Sequence, residues 1–186
     1  MNLWIQYKFR FDHPPEWWID IYLIDTAFRK IIEKYNIQLY RFHRRDADDG
    51  IGHQLSLFCY VTEIVLEKIK KDLFNDVSIK LLDENSMHKS KSIEIFNNDL
   101  NSTSDKNWSI ELQYSWVYFI NGVSKMLLDL ISNIKNHKIP DNLKDLKKSY
   151  NKINNELSLL YSVRGSHAFI HHISALFGYA PTILKI

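Results

Sequence analysis

The sequence predicts an α+β protein: a ferredoxin-like βαββαβ N-terminal half with an antiparallel sheet, followed by a mostly helical C-terminal half. Three observations carry this reading. Residues 3–11 and 37–44 alternate apolar and polar side chains with the period of two expected of strands, and residues 53–61 are a β-rich run. Residues 17–35 and the stretch after Thr62 instead repeat apolar side chains at helical spacing. From Ser115 onward the helical period prevails to the last Gly178.

Taken in order, the first strand places Leu3, Ile5, Tyr7 and Phe9 on one face and Trp4, Gln6, Lys8 and Arg10 on the other. His13-Pro14-Pro15-Glu16 stops it, because proline removes a donor and fixes φ. A long amphipathic helix then runs through Trp18, Ile21, Ile24, Phe28, Ile31 and Ile32. Residues 37–44 and 53–61 form a hairpin around Asp46-Ala47-Asp48-Asp49-Gly50-Ile51-Gly52, a run of turn formers. Thr62 caps the second helix, on which Ile64, Val65, Ile69 and Leu73 share a face, and residues 77–82 are expected as the closing strand. Residues 83–107, poor in strongly apolar side chains, are expected as a polar linker or mobile loop. Helices are expected over 115–136, 141–162 and 166–177, so the chain divides as 1–82, 83–107 and 108–186, with the last part packing on the first.

Composition narrows the function. Twenty-four Lys and Arg against 22 Asp and Glu leave a net charge of +2, which gives no basis for strong nonspecific nucleic-acid binding. The aromatic-basic strand motif of an RNA-recognition domain is absent as well. Cys59 is the only cysteine, so an intrachain disulfide framework and a cysteine-rich metal cluster are both excluded, and a reducing cytoplasm suits the chain. No signal-peptide pattern opens the sequence and no apolar run of about 18 residues could span a bilayer. Neither a glycine-rich phosphate loop nor a dinucleotide fingerprint is present, so no cofactor is implied.

Two clusters could carry chemistry. On the first hairpin strand Arg41, His43 and Arg45 share one parity and Arg44 has the other, which offers a clamp for a carboxylate or phosphate through charge-assisted hydrogen bonds. The competing reading has these cations neutralise Asp46, Asp48 and Asp49 in a solvated turn. Near the C-terminus, Ser166-His167-Ala168-Phe169-Ile170-His171-His172 holds the densest group of imidazoles, any of which could move a proton at neutral pH. His167 and His171 are one helical turn apart, but the segment lacks both a third ligand and the Glu of the His-Glu-x-x-His pattern, so a metal is not expected. Packing against the sheet is the plainer role for these histidines, as it is for Cys59 within its apolar run.

Three blocks, in this order, carry a resemblance: Trp4-Ile5-Gln6-Tyr7-Lys8; Arg41-Phe42-His43-Arg44-Arg45-Asp46 leading into Gln54-Leu55-Ser56-Leu57-Phe58; and the His-rich helix ending Leu176-Phe177-Gly178. Together they resemble the C-terminal, glutamate-eliminating domain of lantibiotic dehydratases and its stand-alone relatives in thiopeptide biosynthesis. The resemblance implies work on a ribosomally made precursor peptide: elimination of glutamate from glutamylated Ser or Thr, or related proton-transfer chemistry. It also implies Arg44 as anion anchor and His171 or His172 as the proton-transfer group; the strand cations Arg41 and Arg45 join them as candidate substrate-binding supports and His43 as a further support and proton-transfer candidate. Relatives carry arginines at the positions of Ser56 and Phe58, and an Asn-Arg pair where this chain has Ser174-Ala175. Those departures remove the carboxylate-binding charge that elimination needs. A noncatalytic peptide-binding subunit or chaperone for a partner modifying enzyme is the alternative expectation, as a homo- or hetero-oligomer.

Overall fold

The computed structural model describes residues 1–11, 14–45, 52–135, 139–140 and 142–176. Strand β1 (Asn2–Arg10) leads into a helix in three parts: α1 (Trp18–Leu23), a π-helical turn (Ile24–Phe28) and α2 (Arg29–Lys34). The hairpin strands follow as β2 (Tyr40–Arg45) and β3 (Gln54–Thr62), then α3 (Glu63–Asn75) and α4 (Val77–Glu84). Strand β4 (Ser90–Ile95) completes a four-stranded sheet of order β2-β3-β1-β4, with every neighbouring pair antiparallel. The remaining elements are α5 (Ile110–Ile134), α6 (Leu143–Leu160), a second π-helical turn (Tyr161–Gly165) and α7 (Ser166–Leu176). The protein is therefore α+β, with a mostly helical C-terminal part. Among the described residues no helix is long and apolar enough to cross a membrane.

One expected element changes type and another changes place. Residues 77–82, expected as the closing strand, are helical within α4. The Asp76 carboxylate accepts from the backbone N–H groups of Ser78 and Ile79, and Ile79 and Leu82 turn inward three apart while Val77 stays exposed. The fourth strand lies at Ser90–Ile95, inside the stretch expected as a linker. All six of its residues are exposed, so burial imposes little pattern on its sequence. The turn at 46–51, His13, and Phe177 and Gly178 lie outside the described residues.

The two faces of the sheet differ in character. Ile5, Tyr7 and Phe9 of β1 join Leu55, Leu57, Cys59 and Val61 of β3 and Phe42 of β2 beneath the helices. That core runs on without a break into Leu128, Ile131, Leu146, Tyr150 and Ile153, so the C-terminal helices share it. Each such large side chain contributes on the order of 1.5–3 kcal/mol on burial. The seam between the halves is also polar. Asp25, buried on the first π-helical turn, accepts from Lys135 Nζ at 2.6 Å and from Tyr150 Oη at 2.7 Å. Arg29 reaches the Leu128 carbonyl at 2.9 Å.

The opposite face carries a small core of its own at one end. There Trp4, Phe58 and Val117 make a small second core with Leu39, Tyr60, Phe96 and Leu100. Residues 96–109 are pinned over it by hydrogen bonds from Trp4 Nε1 to the Leu100 carbonyl and from Tyr60 Oη to the Asn98 carbonyl, both 2.8 Å. Helix α5 then lies along the outer edge of β2. Ser124 Oγ accepts the Phe42 N–H at 3.1 Å and Asn121 Nδ2 donates to the Tyr40 carbonyl at 2.9 Å, so side chains satisfy an edge strand's backbone.

Candidate functional site

Strand register decides which predicted site residues meet. On the face turned away from the main core, rows across the sheet run Arg41–Phe58–Gln6–Glu94, His43–Ser56–Lys8–Ser92 and Arg45–Gln54–Arg10–Ser90. Arg41, His43 and Arg45 are thus brought together with Lys8 and Arg10 of β1. Among the described strand residues of this face Glu94 is the one carboxylate, and it pairs with Lys8. The floor between the cations is polar and held in place: Gln6 Nε2 and Gln54 Nε2 both donate to Ser56 Oγ, at 2.9 and 3.1 Å. Ser56 is fully buried and the two glutamines nearly so, because the longer side chains around them close over the short hydroxyl. Gln54 Oε1 in turn receives a long contact from Arg10 Nε, 3.4 Å.

Arg41 is the deepest of these cations. Its guanidinium lies over the Phe58 ring, 4.2 Å from the centroid, and donates to the Thr103 carbonyl at 2.9 Å, while Nε has no partner. Burial pulls its pKa down to about 10. No carboxylate among the described residues compensates that burial. His43 is exposed and Arg45 half-buried at the open end of the same face.

Arg44 stands on the other face. Its Nε donates to Asp20 Oδ2 at 2.8 Å, and its second arm reaches the Trp17 carbonyl and Asn154 Oδ1, both 3.3 Å. The Trp17 ring lies 5.1 Å away. Asp20, wholly buried, shares its other oxygen with His53 Nε2 at 3.0 Å, and His53 is packed between Phe11 and Trp17. The anion that Arg44 binds in this structure is therefore Asp20, and the pair tethers β2 to α1 and α6.

His171 and His172 stand on α7, none of whose residues is buried and whose principal packing is on the π-helical turn before it. The His167 and His171 rings stack at 5.8 Å and His172 lies edge-on to His171 at 5.7 Å, as the helical spacing requires. The imidazoles thus form a group of their own, on an element that does not belong to the sheet. Among the described residues no set of three or more His, Cys, Asp or Glu side chains is placed to hold a metal ion. Cys59 is fully buried, and burial pushes its thiol pKa up, so it is poorly suited to act as a thiolate.

Sequence reasoning found Arg41, His43 and Arg45 but not Gln6, Lys8, Arg10, Gln54 and Ser56. The signal was available in the second parity of the first strand, where Gln6, Lys8 and Arg10 follow one another at every other position. Ser56 and Phe58, where the resembled family has arginines, face the same side as Arg41. A cavity of about 320 Å³ beside Tyr7, Leu73, Phe74 and Ile93, and a hollow of about 460 Å³ along α6, contain none of the predicted site residues. Chemically, this face can attract an extended anion: its cations supply charge over a floor that the buried, mutually bonded Gln6, Gln54 and Ser56 hold in place, and among the described residues no nucleophile stands there. Compared with protein-family models the chain matches none, and a search of curated proteins found no match.

Proposed function

We propose that this protein recognises an acidic, extended segment of a ribosomally made precursor peptide, as the noncatalytic subunit or chaperone of a partner modifying enzyme. The observation that carries the reading is the gathering of Lys8, Arg10, Arg41, His43 and Arg45 on one face of the sheet, over a floor of Gln6, Gln54 and Ser56. The precursor-peptide pathway follows from the resemblance in the hairpin and the final helix. The catalytic alternative gives His43 and His171 or His172 the proton transfers and Arg44 the substrate anion. The engagement of Arg44 with Asp20, on the opposite side of the sheet from the other cations, speaks for binding instead. The strand order β2-β3-β1-β4 and the uniformly antiparallel pairing support a ferredoxin-like reading of the N-terminal half, whose face away from the main core is then the binding surface. A reducing, cytoplasmic setting suits the single buried thiol.

Fluorescence anisotropy with a labelled Glu-rich peptide tests this reading. Binding is expected to weaken with salt, to fall about tenfold or more in a Lys8→Glu/Arg10→Glu double variant, and to leave the peptide mass unchanged. Equal affinity for a peptide with Gln at every Glu position would refute charge recognition. A mass change in the peptide, lost on replacing His171 and His172, would instead establish catalysis.

A further inference from the structure

Helix α3 packs on β1 and β3, while β4 continues the sheet on the far side of β1 with all six of its residues exposed. The space left between that strand and the helices is the cavity of about 320 Å³. Tyr7 of β1 lines it, together with Leu73 and Phe74 of α3, Ile79 of α4 and Ile93, the β4 partner of Tyr7. Lys70 and Lys91 line it as well, and among the described residues no carboxylate does. The wall is therefore mainly apolar and its charged groups are cations. Tyr7 is 4% exposed, yet its buried hydroxyl has no hydrogen-bond partner in the chain. Phenylalanine would pack the same ring without burying an unmatched polar group, so packing alone does not account for the hydroxyl. Burial pushes the Tyr7 pKa up, which keeps the group a protonated donor.

We propose that this cavity binds a medium-chain aliphatic carboxylate, its tail against Leu73, Phe74, Ile79 and Ile93 and its head held by the Tyr7 hydroxyl, Lys70 and Lys91. Volume sets the size of the ligand. At about 30 Å³ for each water-sized group the cavity admits roughly ten non-hydrogen atoms, as many as octanoate has. Two features select the head: the tyrosine offers a donor and so calls for an acceptor, and the lysines call for a negative charge. Lys70 Nζ donates to Glu67 Oε1 at 2.6 Å, and Lys91 Nζ to the two oxygens of Asp83 at 2.8 and 2.7 Å. An ammonium carries three donors, so Lys70 retains two for a ligand and Lys91 one. Both ion pairs are at the surface, where such pairs hold their partners weakly, and Asp83 has His88 as a second partner. The cavity lies on the helix side of the sheet, away from Arg41, His43 and Arg45, and the inference does not depend on what those cations bind.

Isothermal titration calorimetry with octanoate is expected to show saturable binding at one site per chain. Hexanoate, two methylenes shorter, and uncharged octanol are each expected to bind about tenfold more weakly. Tyr7→Phe is expected to keep or raise the urea midpoint while weakening octanoate about tenfold, a combination that a purely structural hydroxyl would not give. A Lys70→Gln/Lys91→Gln double variant is expected to weaken octanoate about tenfold and to leave octanol unchanged. Amide chemical shifts at Leu73, Phe74 and Ile93 are expected to move with octanoate. No binding, equal affinity for octanol, or full octanoate affinity in either variant would each overturn the proposal. Shifts at Gln54 and Ser56 instead would assign the carboxylate to the cationic face and overturn it as well.

Discussion

Asp20 fixes two side chains, Arg44 and His53. With no exposure of its own it accepts from Arg44 on one oxygen and meets His53 on the other, so its removal leaves the buried His53 Nε2 without its partner and frees the half-buried Arg44 Nε. Asp20→Ala is expected to cost about 1–3 kcal/mol in denaturant-induced unfolding. Arg44→Ala is expected to lower stability while leaving affinity for an acidic peptide unchanged, which isothermal titration of the folded variant checks. A substrate-anchoring arginine would show the reverse. Strand alternation in the hairpin already places Arg44 apart from Arg41, His43 and Arg45. Which of the two sides faces solvent was not legible, because Asp20 stands 24 positions before Arg44 and no local spacing links them. A long-range partner of this kind is written in the packing of α1 on the sheet, not in any window of sequence.

At the scale of elements, the two edges of the sheet are treated differently. Strand β2 has its Phe42 N–H and Tyr40 carbonyl satisfied by Ser124 and Asn121 of α5, whereas β4 is short, exposed and carries Lys91 and Glu94. Ser124→Ala is expected to speed hydrogen exchange at the Phe42 amide and to cost about 1 kcal/mol. The contrast also explains what was and was not readable. Helices α5 and α6 bury one face each, and the strands β1 to β3 alternate apolar core side chains with more polar ones, so their periods mark them. Residues 77–84 present too short an apolar run to separate the two periods, and the Asp76 cap decides for a helix. Acid should loosen the junctions between elements. Burial would raise Glu16, but hydrogen bonds from Lys147 and Trp18 outweigh it and hold the carboxyl below its usual 4.5. Burial likewise opposes Asp83, yet Lys91 and His88 keep it below 3.8. Because these groups are more acidic folded than unfolded, the unfolded chain takes up protons first. Their stabilisation is complete above about pH 4.5 and is lost as pH falls through the lowered values. Urea midpoints from about pH 6 to about pH 3 are expected to hold level and then drop, with a shallower drop in Lys147→Ala.

For the whole molecule, a net charge of +2 hides a strongly uneven surface. One side of the sheet gathers five basic side chains, and the helical side spends Arg29, Arg44 and Lys135 on buried carboxylates. Half of the candidate site was visible in the alternation of the hairpin. The other half depends on β1 and β3 pairing across about fifty residues, Lys8 opposite Ser56 and Arg10 opposite Gln54, a register that only the folded sheet defines. The terminal histidines were prominent in sequence because they cluster, yet α7 gives them neither burial nor a share in the sheet. The most direct measurement is an amide chemical-shift titration of the isotope-labelled protein with a Glu-rich peptide. Saturable shifts concentrated at Gln6, Lys8, Arg10, Gln54 and Ser56, fading as salt is added, are predicted. Shifts centred on His171 and His172, with the sheet unmoved, would contradict the account.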